Sequence, residues 1–238
     1  MDLGVSSDDL IPHANPAVAN IIKSSYGTIL QKLKSGGKFL DVGCMFAQDT
    51  RKLVYDGVPA ENVYGTDLHN EYFQYGYKLF KDENIIPMDH FIAADILDET
   101  DPGLKPLEGK IDVLNNGQFL HVFPLEEQKI VLKRFIKLLK PEKGVMVTGR
   151  CAGHEDAGSH VMGVAKATVK GGDATKIDEH NAESFKKLWV EVGEETGTSW
   201  DVNVWLLQFG LHTGGDDKPA NWHRAKENGV LSFIVTRQ

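Results

Sequence analysis

Three aspartates occupy matching positions in three successive strand-like segments of the chain. Asp41 lies in the first segment, Asp67 ends the second, and Asp95 directly follows the third. The carboxyl ends of parallel strands meet at one edge of a sheet, where ligands of open α/β sheets bind. There, one acid can accept hydrogen bonds from both hydroxyls of a ribose and another can accept from an exocyclic adenine amine. Acids also end strands because strand ends are solvated, but three in register favour a nucleoside ligand.

The spacing of the first two acids supports this interpretation. Asp67 lies about 26 residues after Asp41, close to the separation expected for a ribose-binding acid. Asp41 is also placed to orient the turn after the first strand and a ligand amino group. That turn contains Gly43, which permits a positive φ or a close approach of the backbone. A dinucleotide fingerprint would need glycines near Met45 and Gln48, so an NAD-dependent dehydrogenase is a weak alternative.

Strand-like and helix-like segments alternate along the chain, which is typical of a parallel sheet with crossover helices. The predicted helices are 16–34, 49–55, 70–81 (with Asn70 as N-cap), 125–139 and 182–195. The predicted strands are 38–42, 62–67, 91–94, 111–114, 144–148, 200–207 and 230–236. No helix separates the last two strands, so the sheet should end antiparallel. The predicted fold is α/β and Rossmann-like: a seven-stranded, mostly parallel sheet with an antiparallel C-terminal strand and helices on both faces.

The length of 238 residues suits one domain, which we place at 1–238. Residues 1–35 are predicted to form an N-terminal helical cap over the ligand site. Residues 151–180 are glycine-rich and weakly patterned. Long segments of this kind inside a domain are usually functional or mobile, so we predict a mobile substrate loop there.

Composition limits the partners of the chain. A formal net charge of -8 argues against nucleic acid as the main ligand. Two cysteines, Cys44 and Cys151, are too few for a disulfide framework and fit a reducing compartment. The first ten residues lack the apolar region of a secretory signal, and no apolar run approaches the roughly 20 residues of a membrane span. We expect a cytoplasmic protein with a small-molecule substrate, no nucleic-acid or membrane partner, and a homodimer as one option.

Three longer motifs extend over most of the chain. They are the turn at 39–49 (FLDVGCMFAQD), the pair Gly149 and Arg150 after the fifth predicted strand, and the helical segment 180–189 (HNAESFKKLW). Together they resemble the motifs of class I S-adenosylmethionine (SAM)-dependent methyltransferases, and in particular a group of fungal enzymes of terpenoid and meroterpenoid secondary metabolism. Segments 111–123 and 138–144 are similar to the family's fourth strand and to its entry into the fifth.

The resemblance implies SAM as the cofactor and a small, largely apolar metabolite as the methyl acceptor, most often at a carboxylate or hydroxyl oxygen. Asp67 would hold the ribose and Asp95 the adenine amine. Leu68 and Ile96 would flank the adenine ring, although ordinary core packing explains both equally well. The methionine part of SAM would be surrounded by Asp41, Gly43, Gln48 and the backbone at Asn115.

Two residues depart from the family pattern. Met45 occupies a position where the group often has cysteine, and Ala47 one where it usually has glycine. The β-carbon of Ala47 is expected to crowd the methionine half of SAM and to weaken or adjust its binding. The same departures support a rival function, in which the fold catalyses cyclisation or isomerisation without methyl transfer.

Three further residues are candidates for the acceptor side. His121 follows the fourth predicted strand and could act as the general base for a hydroxyl acceptor. A structural histidine bonded to the backbone is an equally good interpretation. Arg150 could pair with an acceptor carboxylate, and His13 could close the pocket from the N-terminal cap.

Two other interpretations are weaker. The spacing of His154, Glu155 and His160 does not place two ligands one helical turn apart, so no metal site is predicted. A non-catalytic regulatory partner with this fold would need a large exposed apolar patch, which the sequence does not indicate.

Overall fold

The computed structural model describes residues 16–161, 176–208 and 228–238 of the chain. Seven of its strands form one sheet. They are β1 (Phe39–Val42), β2 (Val63–Asp67), β3 (Phe91–Ala93), β4 (Val113–Gly117), β5 (Met146–His154), β8 (Trp200–Gln208) and β9 (Asn228–Arg237). Two more, β6 (Gly158–Val161) and β7 (Lys176–Glu179), pair antiparallel in a small separate sheet.

The order of the large sheet is β3-β2-β1-β4-β5-β9-β8. Strands β1 to β5 pair in parallel, whereas β9 is antiparallel to both β5 and β8. The predicted sheet with one antiparallel C-terminal strand is therefore confirmed. After β3 the chain returns to the other side of β1, so the strand order reverses between β1 and β4. The carboxyl ends of these two strands flank the crevice in which such sheets bind ligands.

Apolar stripes explain why helices cover both faces of this sheet. The helices are α1 (Pro16–Lys34), α2 (Gln48–Tyr55), α3 (Glu71–Phe80), α4 (Leu125–Leu138) and α5 (Ala182–Thr196). On one face, Leu33 of α1 and Leu53 of α2 pack with Phe39 and Val113. The other face is covered by α4 and α5, whose buried residues pack against alternate residues of the same strands. These include Leu40, Leu114, Val131, Phe135, Val147, Phe185 and Leu188.

The structure corrects several predicted boundaries. β5 continues through His154, and β6 and β7 occupy further parts of the segment 151–180 that we expected to be a loop. Strand pairing explains the difference, because β5 is hydrogen-bonded to β9 from Met146 to His154. Asn70 does precede α3, but its side chain makes no capping hydrogen bond. The helix expected in the N-terminal cap is α1, at the predicted residues 16–34. No helix in the described ranges is long and apolar enough to cross a membrane.

Candidate active site

The turn after β1 is shaped by its glycine. Gly43 has a φ of 69°, and a β-carbon placed on it would lie 2.3 Å from a ring carbon of Phe119. Only glycine fits both requirements without strain. The backbone N–H groups of Gly43 and Cys44 donate to the carbonyl oxygen of Thr66 at 2.9 and 3.1 Å. These bonds join the turn to the end of β2, next to Asp67.

Two non-glycine residues of the same turn also have left-handed backbones. Met45 and Ala47 have φ values of 47° and 51°. Ala47 is 1% exposed and packs in an apolar cluster with Phe73 and Tyr77 of α3. Its β-carbon is therefore directed into the core, and the expectation that it crowds the ligand side of the turn is wrong. The departure from glycine is instead a backbone cost, on the order of 1 kcal/mol for alanine in this conformation.

Asp67 ends β2 and Asp95 lies just beyond the end of the neighbouring strand β3, so both are at the same edge of the sheet. The Asp67 carboxylate accepts from the Met45 N–H at 2.9 Å and from the His69 N–H at 3.3 Å. The Asp95 carboxylate is exposed and accepts from the Leu97 N–H at 2.9 Å. Both acids thus stay accessible while their local turns hold them in place. Their juxtaposition is what recognition of a ribose and its adenine requires.

Asp41 lies at the centre of a hydrogen-bond network between β1 and β4. The Nδ2 of Asn115 donates to Asp41 Oδ1 at 2.8 Å and lies 3.4 Å from Asp49 Oδ2. The hydroxyl of Thr50 donates to the other oxygen of Asp41 at 3.5 Å. On the far side, Thr148 donates to Asn115 Oδ1 at 3.4 Å. Asn115 of β4 is thus oriented by residues of β1, α2 and β5 at the point where the strand order reverses.

The electrostatics of this network favour a cationic ligand. Asp41 is only 3% exposed, and burial is the main cause that raises its pKa to about 8. The neighbouring carboxylate of Asp49 raises it further, against hydrogen bonds from Asn115 and Thr50 that lower it. A positive group placed beside these two acids would relieve both effects. The two carboxyl groups of Asp41 and Asp49 therefore fit the ammonium and sulfonium groups of SAM.

The residues predicted to flank the adenine differ in their burial. Leu68 is 61% exposed at the carboxyl end of β2 and offers a free apolar surface. Ile96 is 5% exposed and belongs to the main apolar cluster of the core. Core packing thus accounts for most of the Ile96 side chain. Gln48, the first residue of α2, is exposed.

The acceptor-side candidates lie around the ends of β4 and β5. His121 occupies a short 3-10 turn, and its Nδ1 accepts from the backbone N–H of Ala152 at 3.4 Å. Burial lowers the pKa of His121 to about 4. The Arg150 side chain is exposed on β5, opposite Gly117 in the strand register. His13 lies outside the described residues.

Sequence reasoning missed three members of this site. Asp49 was assigned only to a helix start, although its position at the end of the turn could have marked it as a ligand-side acid. Thr50 and Thr148 carried no signal, because their contacts depend on strand register. Within the described ranges no group of His, Cys, Asp or Glu has the arrangement of a metal site. His154 and His160 instead stack on each other, with ring centroids 3.9 Å apart.

The sheet order and the glycine turn are those of the Rossmann-like fold of class I SAM-dependent methyltransferases. Solved structures with this fold include a SAM-dependent methyltransferase from Archaeoglobus fulgidus, with a TM-score of 0.56, 12% identity, and coverage of 91% of this chain and 93% of the other. The [4+2]-cyclase SpnF also shares it, with a TM-score of 0.55, 12% identity, and coverage of 88% of this chain and 78% of the other.

The chain belongs to the fungal secondary-metabolite methyltransferases. It is 43% identical to the O-methyltransferase phiE of a fungal species, over 81% of this chain and 63% of the relative. It is 34% identical to the methyltransferase adrK of Penicillium roqueforti, over 86% of this chain and 72% of the relative. No protein-family model matches the chain. These comparisons confirm the predicted family and its cofactor, SAM. The chain spans less than two thirds of the length of several relatives.

Proposed function

We propose that this chain transfers a methyl group from SAM to an oxygen atom of a small, largely apolar metabolite. One observation carries the proposal: Asp41 in β1, Asp67 at the end of β2 and Asp95 just after β3 share the carboxyl edge of the sheet with the Gly43 turn. That arrangement matches an adenosine at one end and a cationic amino acid at the other. The name of the relative phiE, an O-methyltransferase, supports oxygen as the acceptor atom.

In this proposal each half of the cofactor has its own residues. Asp67 binds the ribose and Asp95 the adenine amine, while Leu68 covers one face of the ring and Ile96 supports it from the core. The methionine part is held by Asp41, Gly43, Gln48 and Asn115. When bound, SAM supplies a methyl group on a cationic sulfur. The chain's contribution is to align the acceptor with that group and to exclude water.

His121 is the proposed group for removing the proton of a hydroxyl acceptor. Its imidazole is neutral at physiological pH, because burial lowers its pKa, so it is free to accept a proton. A base with a pKa of about 4 is weak, and its Nδ1 is already paired with Ala152. Because Nδ1 accepts from Ala152, the hydrogen of the neutral ring lies on Nε2. His121 therefore takes a proton only when Nδ1 releases the Ala152 N–H; with that bond kept, it donates through Nε2 and orients an acceptor that ionises on its own. Arg150 and His13 are the proposed contacts for the rest of the acceptor.

The proposal is tested with methyl-labelled SAM. The purified chain is incubated with labelled SAM and a fungal metabolite extract, and products are separated by mass. A labelled product from the wild type, absent with Asp67→Ala, supports methyl transfer. A new product of unchanged mass would instead support cyclisation or isomerisation and overturn the proposal. Glu142→Gln, which changes an exposed acid outside the site, is the control for protein quality.

A further inference from the structure

A buried carboxyl group that the cofactor site does not use lies at the end of β7. Glu179 is 3% exposed, and its Oε1 has no hydrogen-bond partner among the described residues. No lysine or arginine in the described ranges forms an ion pair with it. An unpaired polar atom inside a folded protein costs free energy, so it calls for an explanation such as a functional ligand.

The neighbours of Glu179 fix the side on which its carboxyl lies. Asp178 accepts from the Leu125 N–H at 2.9 Å, and His180 Nε2 lies 2.9 Å from Gln128 Oε1, so both face α4. Side chains alternate along a strand, and Glu179 therefore points away from α4. Burial is the main cause that raises the pKa of the Cys151 thiol on β5, and the Glu179 carboxyl is a second cause, which places Glu179 close to that residue.

The position of β7 brings this carboxyl to the acceptor side of the sheet. β7 packs against the 3-10 turn that carries His121, and His180 bridges to Gly153 at the end of β5. The residue opposite Glu179 on β6 is Gly158, which has no side chain to cover it. Glu179 thus lies over the ends of β4 and β5, whereas the adenosine acids lie over β2 and β3.

We propose that Glu179 is a specificity-determining contact that accepts a hydrogen bond from a hydroxyl group of the methyl acceptor. The inference rests on the proposed function and narrows its substrate class. Burial raises the pKa of Glu179, although His154 and His160 oppose this, so the carboxyl holds its proton more firmly than usual. In either protonation state a carboxyl oxygen accepts a hydrogen bond from a hydroxyl. An ionised carboxylate on the acceptor would be poorly matched at this position, because it has no hydrogen to donate to the Glu179 carboxyl.

The test uses two simple probes: farnesol, an apolar chain ending in one hydroxyl, and farnesyl methyl ether, which cannot donate. Binding to the chain loaded with S-adenosylhomocysteine is measured by calorimetry. We expect the wild type to prefer farnesol by about tenfold, the effect of one buried hydrogen bond. Glu179→Leu should lose that preference, whereas Glu179→Gln, which keeps an acceptor oxygen, should retain most of it. Glu183→Leu, at a nearby exposed position on α5, should bind like the wild type.

Each outcome bears on one proposal at a time. The role of Glu179 would be overturned if the wild type bound both probes equally or bound neither of them. It would also be overturned if Glu179→Leu kept the preference for farnesol. Failure of S-adenosylhomocysteine to bind the wild type would instead contradict the proposed function. Unchanged affinity of the Glu179 variants for S-adenosylhomocysteine, with a cooperative unfolding transition, shows that they are folded.

Discussion

Replacing Asp41 by asparagine should make the protein more stable and a poorer binder of SAM. Asp41 is buried beside Asp49, and its pKa is raised to about 8. In the unfolded chain the same carboxyl is solvated and ionises with the ordinary aspartate pKa of 3.8. Between these two values the native state binds a proton that the unfolded state does not, so folding becomes less favourable as pH rises.

The size of the effect follows from that window. The contribution of Asp41 is most favourable below a pH of about 4, is lost progressively as pH rises, and levels off above about 8. At about 1.4 kcal/mol per pH unit, the loss between roughly pH 5 and pH 8 is about 4 kcal/mol. Asparagine does not titrate. Its carboxamide oxygen can accept from Asn115, and its amide nitrogen can donate to the Thr50 hydroxyl.

The assay is denaturant unfolding of the wild type and Asp41→Asn at several pH values across this window. We expect the variant's advantage in the free energy of unfolding to grow by about 4 kcal/mol from about pH 5 to about pH 8. Asp95→Asn, which replaces an exposed carboxyl of the same site, is the matched control. Parallel curves for the wild type and Asp41→Asn would refute the reasoning, because they would mean that Asp41 titrates alike in both states.

The same substitution should act on SAM binding with the opposite sign. A cationic ligand beside Asp41 favours its ionised form, so cofactor binding below about pH 8 should release a proton. Calorimetry in buffers of different ionisation enthalpy measures that proton. Asp41→Asn should lose the release and about 1 to 3 kcal/mol of binding free energy. Greater stability with weaker binding would identify Asp41 as a group that the fold retains for its ligand.

Three further predictions concern single side chains. Asp67→Ala should weaken SAM binding by about 1 to 3 kcal/mol in calorimetry, and unchanged affinity would exclude it as the ribose acid. His121→Ala should lower kcat far more than SAM affinity if the imidazole removes a proton, and equal losses of rate and affinity would indicate a structural role. In the wild type, protonation of His121 should lower the rate only when the pH falls toward about 4. Met45→Gly should raise the free energy of unfolding by up to about 1 kcal/mol in thermal unfolding, because glycine adopts the positive φ of this exposed position without strain. Ala47→Gly should change it little, since losing the buried methyl group offsets the same backbone gain. Equal shifts for both would contradict that account.

The fold was predictable from the sequence because its signals are local. Alternating apolar segments and the turn at Gly43 identified the strands of the parallel half and their ligand edge. The pattern could not place β9 between β5 and β8, since strand order is set by packing across the whole sheet. It also failed at 151–154, where glycine and a cysteine suggest a loop. Pairing of these residues with β9 makes them a strand, so tertiary context overrides the local preference.

The two halves of the site differ in the same way. Asp41, Asp67 and Asp95 could be found from sequence because each lies in or directly beyond the last residues of its own strand, and parallel pairing brings those strand ends to one edge. In the proposed acceptor half, the sequence suggested His121, whereas Ala152 on β5 and Glu179 on β7 join it only through contacts between distant parts of the chain. Their chemistry depends on burial, which raises the pKa of one acid and lowers that of one imidazole. Neither effect can be inferred from residue type. Substrate preference should therefore respond to changes around β5 and β7 that leave cofactor binding intact.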